Sequence, residues 1–103
     1  MPSYEHIELK TDGAVALVFL NEPKKLNAMN VSMLRELMDA ITSVNEDDSI
    51  RVAVLAANGR SFCAGADLRS DLGPGRTTAD HLNEDHRPVL FAISDAPKPW
   101  ISA

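Results

Sequence analysis

The sequence predicts an α/β fold, and three observations carry that prediction. Two short apolar runs, residues 14–20 and 50–57, have the length of strands and are rich in β-branched side chains. Between them, residues 30–45 carry apolar side chains at helical spacing. Strand, helix and strand in that order make the βαβ crossover from which parallel sheets are built. Composition agrees: of 103 residues, 45% are apolar and 24% charged, the balance of one soluble globular domain.

Each element has its own signal. Residues 4–10 alternate, with His6, Glu8 and Lys10 on one side and Ile7 and Leu9 on the other, which reads as a half-buried strand. Thr11-Asp12-Gly13 turns the chain into the apolar strand 14–20, so the pair forms a hairpin. Asn21-Glu22-Pro23 breaks that strand, and LNEPKKLNAMN becomes an irregular connection. In the helix that follows, Leu34, Leu37, Met38, Ile41 and Val44 form the inward face, with Asn30 as N-cap and Glu46-Asp47-Asp48 as the close. Residues 50–57 read as a parallel strand buried on both faces. Asn58-Gly59 turns the chain outward. Polar residues 69–86, with Gly73-Pro74-Gly75, read as a mobile loop. A second helix is expected from about Pro88, with Val89, Leu90 and Ile93 inward, ended by Ala96-Pro97-Lys98-Pro99. Trp100 to Ala103 then opens another buried strand. The chain reads as a single domain over residues 1–103 that is the N-terminal part of something longer.

Several classes are excluded. Fifteen Asp and Glu against ten Lys and Arg give a net charge of −5, which argues against nucleic acid, since a phosphate-backbone binder needs a basic face. No apolar run approaches the roughly 20 residues that span a bilayer, so no membrane is expected. The start MPSYEHIELK lacks the basic and apolar regions of a signal peptide. One cysteine allows no internal disulfide, which points to the reducing cytoplasm.

The chemistry-bearing stretch is residues 61–70, SFCAGADLRS. Ala64-Gly65-Ala66 sets three small residues just past the carboxyl end of a buried strand, where open α/β sheets bind ligands. Small side chains admit a ligand to the backbone, and an exposed N–H there can donate to an oxygen that gains negative charge. Asp67 can cap the following turn. A tight corner that holds no ligand fits the same spacing. Asp80, His81, Glu84, Asp85 and His86 match no metal-ligand spacing and read as a solvated acidic loop, so no metal site is assigned. Cys63, Met29, Met33 and Met38 read as packing residues.

With these residues in view, the chain resembles the enoyl-CoA hydratase/isomerase (crotonase) superfamily. SFCAGADLRS is similar to its oxyanion-hole signature, LNEPKKLNAMN to its first coenzyme A loop, and APKPWISA to the lead-in to its second oxyanion segment. The resemblance implies a crotonase-like spiral of ββα units. It implies that Ala66 gives one of two backbone N–H donors to a thioester oxygen and that Asp67 holds this loop in shape. Lys24, Lys25, Leu26 and Ala28 would lie along the coenzyme A nucleotide and pantetheine, and Ala64, Leu68 and Arg69 along the second wall. The lysines suit a phosphate-bearing ligand as point charges. Coenzyme A enters as part of the substrate, with no permanently bound cofactor, and full-length members are homotrimers or hexamers. The second donor and the acid–base carboxylates of the family lie past Ala103, and Glu22, Glu36, Glu46 and Glu84 stand at none of those positions. Hydration of a 2-enoyl-CoA is the leading expectation. Isomerisation, another crotonase reaction, or a non-catalytic coenzyme A or partner-binding scaffold are the alternatives.

Overall fold

The computed structural model describes residues 4–25, 27, 29–59 and 75–102. They form a four-stranded sheet in the order β1 (Ile7–Asp12), β2 (Val15–Leu20), β3 (Val52–Ala57), β4 (Trp100–Ser102). β1 and β2 are the expected antiparallel hairpin, while β3 and β4 both run parallel to β2. Asp12 pairs with Val15, so the turn is the two residues Gly13 and Ala14, with Gly13 at φ +61°.

Helix α1 (Val31–Glu46) makes the crossover from β2 to β3. Asn30 caps it as expected, its side chain accepting from Met33 N–H at 2.8 Å. The helix buries Met33, Leu34, Leu37, Ala40, Ile41 and Val44 against one face of the sheet, where β2 presents Ala16, Val18 and Leu20 and β1 presents Ile7. Met38 is a correction: it is 37% exposed, one step off the packed face. No basic residue stands in the last turn of α1, yet its carbonyls are not bare. Lys98 reaches in from before β4 and donates to Val44 O at 2.7 Å and to Asp47 O.

The second crossover departs most from expectation. Where a loop was expected to reach residue 86, the described part is helical: α2 (Thr78–Asp80), a π-helical stretch (His81–His86) and α3 (Arg87–Ser94) follow one another without a break. A T-x-x-D box starts the run, with Asp80 N–H donating to Thr77 Oγ1 at 3.2 Å and Thr77 N–H to Asp80 Oδ2 at 3.0 Å. The wide turn has a cause in the sequence. Pro88 has no N–H to return to Glu84, and in a regular helix its ring would meet that carbonyl. Arg87 N–H bonds Leu82 O, five residues back. The inward residues are Val89, buried, with Ala92 and Ile93 packed against the same core; Leu90, expected inward, is 66% exposed. A step of about 100° from Val89 carries it off that face.

Two strand expectations also change. Among the described residues of β3 only Ala53 is fully buried. Leu55 and Ala57 meet the core, while Val52, Val54 and Ala56 lie half-buried on the opposite face. β4 is an edge strand whose Ile101 is 53% exposed.

Candidate functional site

Parallel pairing sets where the two loops expected to bear the chemistry leave the sheet. Leu20, the last residue of β2, stands opposite Ala57, the last residue of β3, so both strands end at the same edge. The lysine-bearing connection 21–30 and the segment entered after Gly59 therefore start side by side, at the carboxyl ends of parallel strands. β4 runs toward that edge too, with Ser102 opposite Leu55.

The connection is held by a dense set of polar contacts. Asn21 N–H donates to His6 O at 2.9 Å. Glu22 takes the His6 imidazole through Nδ1, while Glu36 of α1 accepts from His6 N–H at 2.9 Å and stands 3.6 Å from its Nε2. Both carboxylates are thereby engaged by His6 and hold the loop to β1 and α1. A 3-10 turn, Pro23–Lys25, follows and leaves Lys24 exposed to solvent. Asn27 closes the loop. It is fully buried at φ +55°, its N–H donates to Glu22 O at 2.9 Å, and its Oδ1 accepts from Glu22 N–H at 2.7 Å. Asparagine tolerates this left-handed backbone better than most residues with a side chain.

From the same loop, Asn27 Nδ2 donates to Asn58 O at 2.9 Å, across 31 residues of sequence. Asn58 N–H extends the parallel ladder to Leu20 O at 2.9 Å, and its side-chain amide reaches Glu8 Oε1 at 2.5 Å and Asn21 Oδ1 at 3.1 Å. Gly59 sits at φ +94° against Pro23, where an added Cβ would stand 2.7 Å from Pro23 Cβ. Sequence reading singled out none of Asn27, Asn58 or His6 as a site residue. Asn27 was one more polar loop residue, and nothing local announced that its partner lies on another strand.

Of the expected site residues, Lys24 is placed on the outer side of this loop. Lys25 is placed by its backbone alone. Leu26, Ala28, Ala64, Ala66, Asp67, Leu68 and Arg69 lie outside the described residues, as does Cys63.

The acidic segment expected to be solvated is a correction of a different kind. His81 is fully buried, and its Nδ1–H donates to Asp85 Oδ2 at 2.7 Å. Its Nε2 faces His86 Nε2 at 3.0 Å, with the rings edge to face at 83°. Arg76 closes the network on Asp85 Oδ2 at 2.8 Å and pairs with Glu84 at 3.2 Å. Burial raises the Asp85 carboxyl, but the bonds from His81 and Arg76 outweigh it and hold it below the usual carboxylate range. The pattern His81-x-x-x-Asp85-His86 had read as surface because helix was not expected there. Among the described residues, no three His, Cys, Asp or Glu side chains are placed to hold a metal ion. No described helix is long and apolar enough to cross a membrane. A groove of about 210 Å³ runs between α1 and this helical segment, lined by Leu34, Met38, Glu84 and Pro88 among others, and shares no residue with the strand-end site.

A sheet of this order, with helical crossovers and loops gathered at one strand edge, is the fold of the crotonases. The structure is similar to an enoyl-CoA hydratase from Bacillus anthracis, with a TM-score of 0.86 at 28% identity over 95% of this chain and 39% of that one. It is similar also to an enoyl-CoA hydratase of Mycobacterium smegmatis, with a TM-score of 0.85 at 35% identity over 95% and 39%. The sequence profile described as Enoyl-CoA hydratase/isomerase matches residues 10–103, and the chain belongs to that family. It is 39% identical to the crotonyl-CoA hydratase of Syntrophomonas wolfei over 102 residues, 98% of this chain and 39% of that protein. It is 32% identical to the 1,2-epoxyphenylacetyl-CoA isomerase of Escherichia coli, over 96% of this chain and 39% of that one. The chain thus spans about two fifths of the length of these relatives.

Proposed function

We propose that this chain forms the N-terminal part of a crotonase-type enzyme acting on an acyl-CoA thioester, with addition of water to a 2-enoyl-CoA as its reaction. One observation carries the reading. The lysine-bearing connection and the exit of β3 leave one sheet edge and are bonded to each other through Asn27 and Asn58. That is where a ligand with a phosphate-bearing end and a reactive end would lie along two adjacent loops. Lys24 and Lys25 meet the anionic nucleotide as point charges, and Leu26 and Ala28 follow the pantetheine. Ala64, Asp67 and Leu68 form the second wall, with Asp67 shaping the turn.

The chemistry assigned to this part is electrostatic. The Ala66 N–H donates to the thioester oxygen as it becomes enolate-like, whether water adds at the β carbon or a proton leaves the α carbon. That shared step lets one site serve hydratases and isomerases, and relatives named for both kinds of activity support it. Coenzyme A comes and goes with the substrate, and no resident cofactor or metal is invoked. The 103-residue chain by itself is expected not to turn over, since Glu22, Glu36, Glu46 and Glu84 stand at none of the positions of the family's acid–base carboxylates. A trimer or hexamer in the cytoplasm is the setting of the full-length protein.

The test acts on the backbone. Ala66→Pro deletes the N–H, whereas Ala66→Gly keeps it. In the full-length protein, a folded Pro variant is expected to lose about 10²–10³ in kcat, with the Gly variant within about tenfold of the parent. Circular dichroism and melting establish the fold. Near-normal kcat in a folded Pro variant would remove Ala66 from the mechanism.

A further inference from the structure

We propose that Asn27 is a positioning residue, the side chain through which ligand on the Lys24 loop fixes the corner Asn58-Gly59 where β3 leaves the sheet. The inference rests on the acyl-CoA reading above and adds a coupling between the two ends of that site.

The corner is gripped mainly by the lysine loop and its approach. Its backbone N–H bonds Leu20 O, its carbonyl bonds Asn27 Nδ2, its side chain bonds Asn21, and its glycine lies on Pro23. Among the described residues, only Glu8 Oε1 comes from elsewhere. The loop is in turn closed by the reciprocal Glu22–Asn27 pair, with Lys24 exposed on the turn between. Tightening that turn around an anion pulls on Glu22 and Asn27, and Asn27 is rigid: fully buried, in a left-handed conformation, with both ends of its amide bonded. A buried amide bonded at both ends cannot yield at one end without leaving a polar group unpaired. The Asn58 carbonyl must follow, and with it the direction in which the chain enters the segment after Gly59. Remote binding energy then acts on orientation at the reacting end rather than on affinity.

The variant Asn27→Asp isolates this role. Aspartate tolerates the same backbone and keeps the acceptor for Glu22 N–H, but sets an oxygen against the Asn58 carbonyl. The probes are a CoA thioester and the pantetheine thioester of the same acyl group, with the full-length protein. In the parent, kcat is expected to be higher for the CoA thioester. In Asn27→Asp that advantage should fall by about fivefold or more while KM for the CoA thioester moves less than about threefold. An unchanged kcat ratio, or a change confined to KM, overturns the proposal. Amide exchange on the parent is a second arm that needs no variant. Saturating coenzyme A should slow exchange at Asn58; bound coenzyme A with unchanged exchange there overturns the coupling alone. Absence of coenzyme A binding overturns the acyl-CoA reading, and the coupling with it.

Discussion

Lys98 supplies what α1 lacks in its own sequence. A helix carries partial negative charge at its carboxyl end, and the last turn of α1 offers no cation. The Lys98 ammonium satisfies the carbonyls of Val44 and Asp47 from fifty residues downstream and so fastens the lead into β4 to the end of α1. Trp100 Nε1–H adds a bond to Asn45 Oδ1 at 3.0 Å in the same place. Lys98→Met keeps the aliphatic stem and removes the charge and donors. It is expected to lower stability by about 1–2 kcal/mol in chemical denaturation, as for a charged hydrogen bond at a helix terminus. A midpoint unchanged by the substitution would mean that solvent caps α1 equally well.

At the scale of an element, the helical run from α2 to α3 contains a proton-sensitive pair. His86 Nε2 and His81 Nε2, 3.0 Å apart, share one proton comfortably, and a second would set N–H against N–H. Burial pushes the His86 imidazole below its ordinary value, the neighbouring His81 pushes the same way, and Asp85 opposes both. Beside the pair, Arg76 bonds Asp85 and pairs with Glu84. A group depressed in the folded state contributes stability that is present above its unfolded value. That stability is lost as pH falls through the folded value. The full-length protein should therefore melt at lower temperature as pH drops below about 6.5, and His86→Gln should flatten that slope. Parallel pH profiles for parent and variant would show that the pair does not govern the helix.

Across the whole molecule, apolar groups lie open on several elements. Leu90 and Phe91 on α3, Leu82 in the π-helical turn and Ile101 on β4 are each about half exposed or more, and β4 is the edge of the sheet. Exposed apolar side chains beside an unpaired edge favour association. The isolated 103-residue chain should self-associate at micromolar concentration, with a broad melt, as seen by light scattering and calorimetry. A monodisperse monomer with a sharp cooperative transition would show that this sheet and its two crossovers are sufficient alone.

The α/β class, the hairpin, α1 with its Asn30 cap, and β3 were legible in the sequence because each rests on a local period or a short-range bond. Ile7 and Leu9 alternate in a strand; Leu34, Leu37, Ile41 and Val44 recur on a helix; Asn30 bonds only three residues ahead. Family membership was legible for a related reason, since its motifs are contiguous strings. The helix from about Pro88 was legible in the sequence, whereas the helical turns over 78–86 that lead into it were missed because polar composition hid a capping box. Met38 was placed inward by its helical spacing and Leu90 with Val89 and Ile93, and only packing fixed the phase that turns them to solvent. Above all, the union of Asn27 with Asn58 and of Lys98 with the end of α1 is a matter of tertiary structure. Those partners lie 31 and 54 residues apart, and a buried polar side chain is satisfied by whatever the fold brings beside it, which no local pattern encodes.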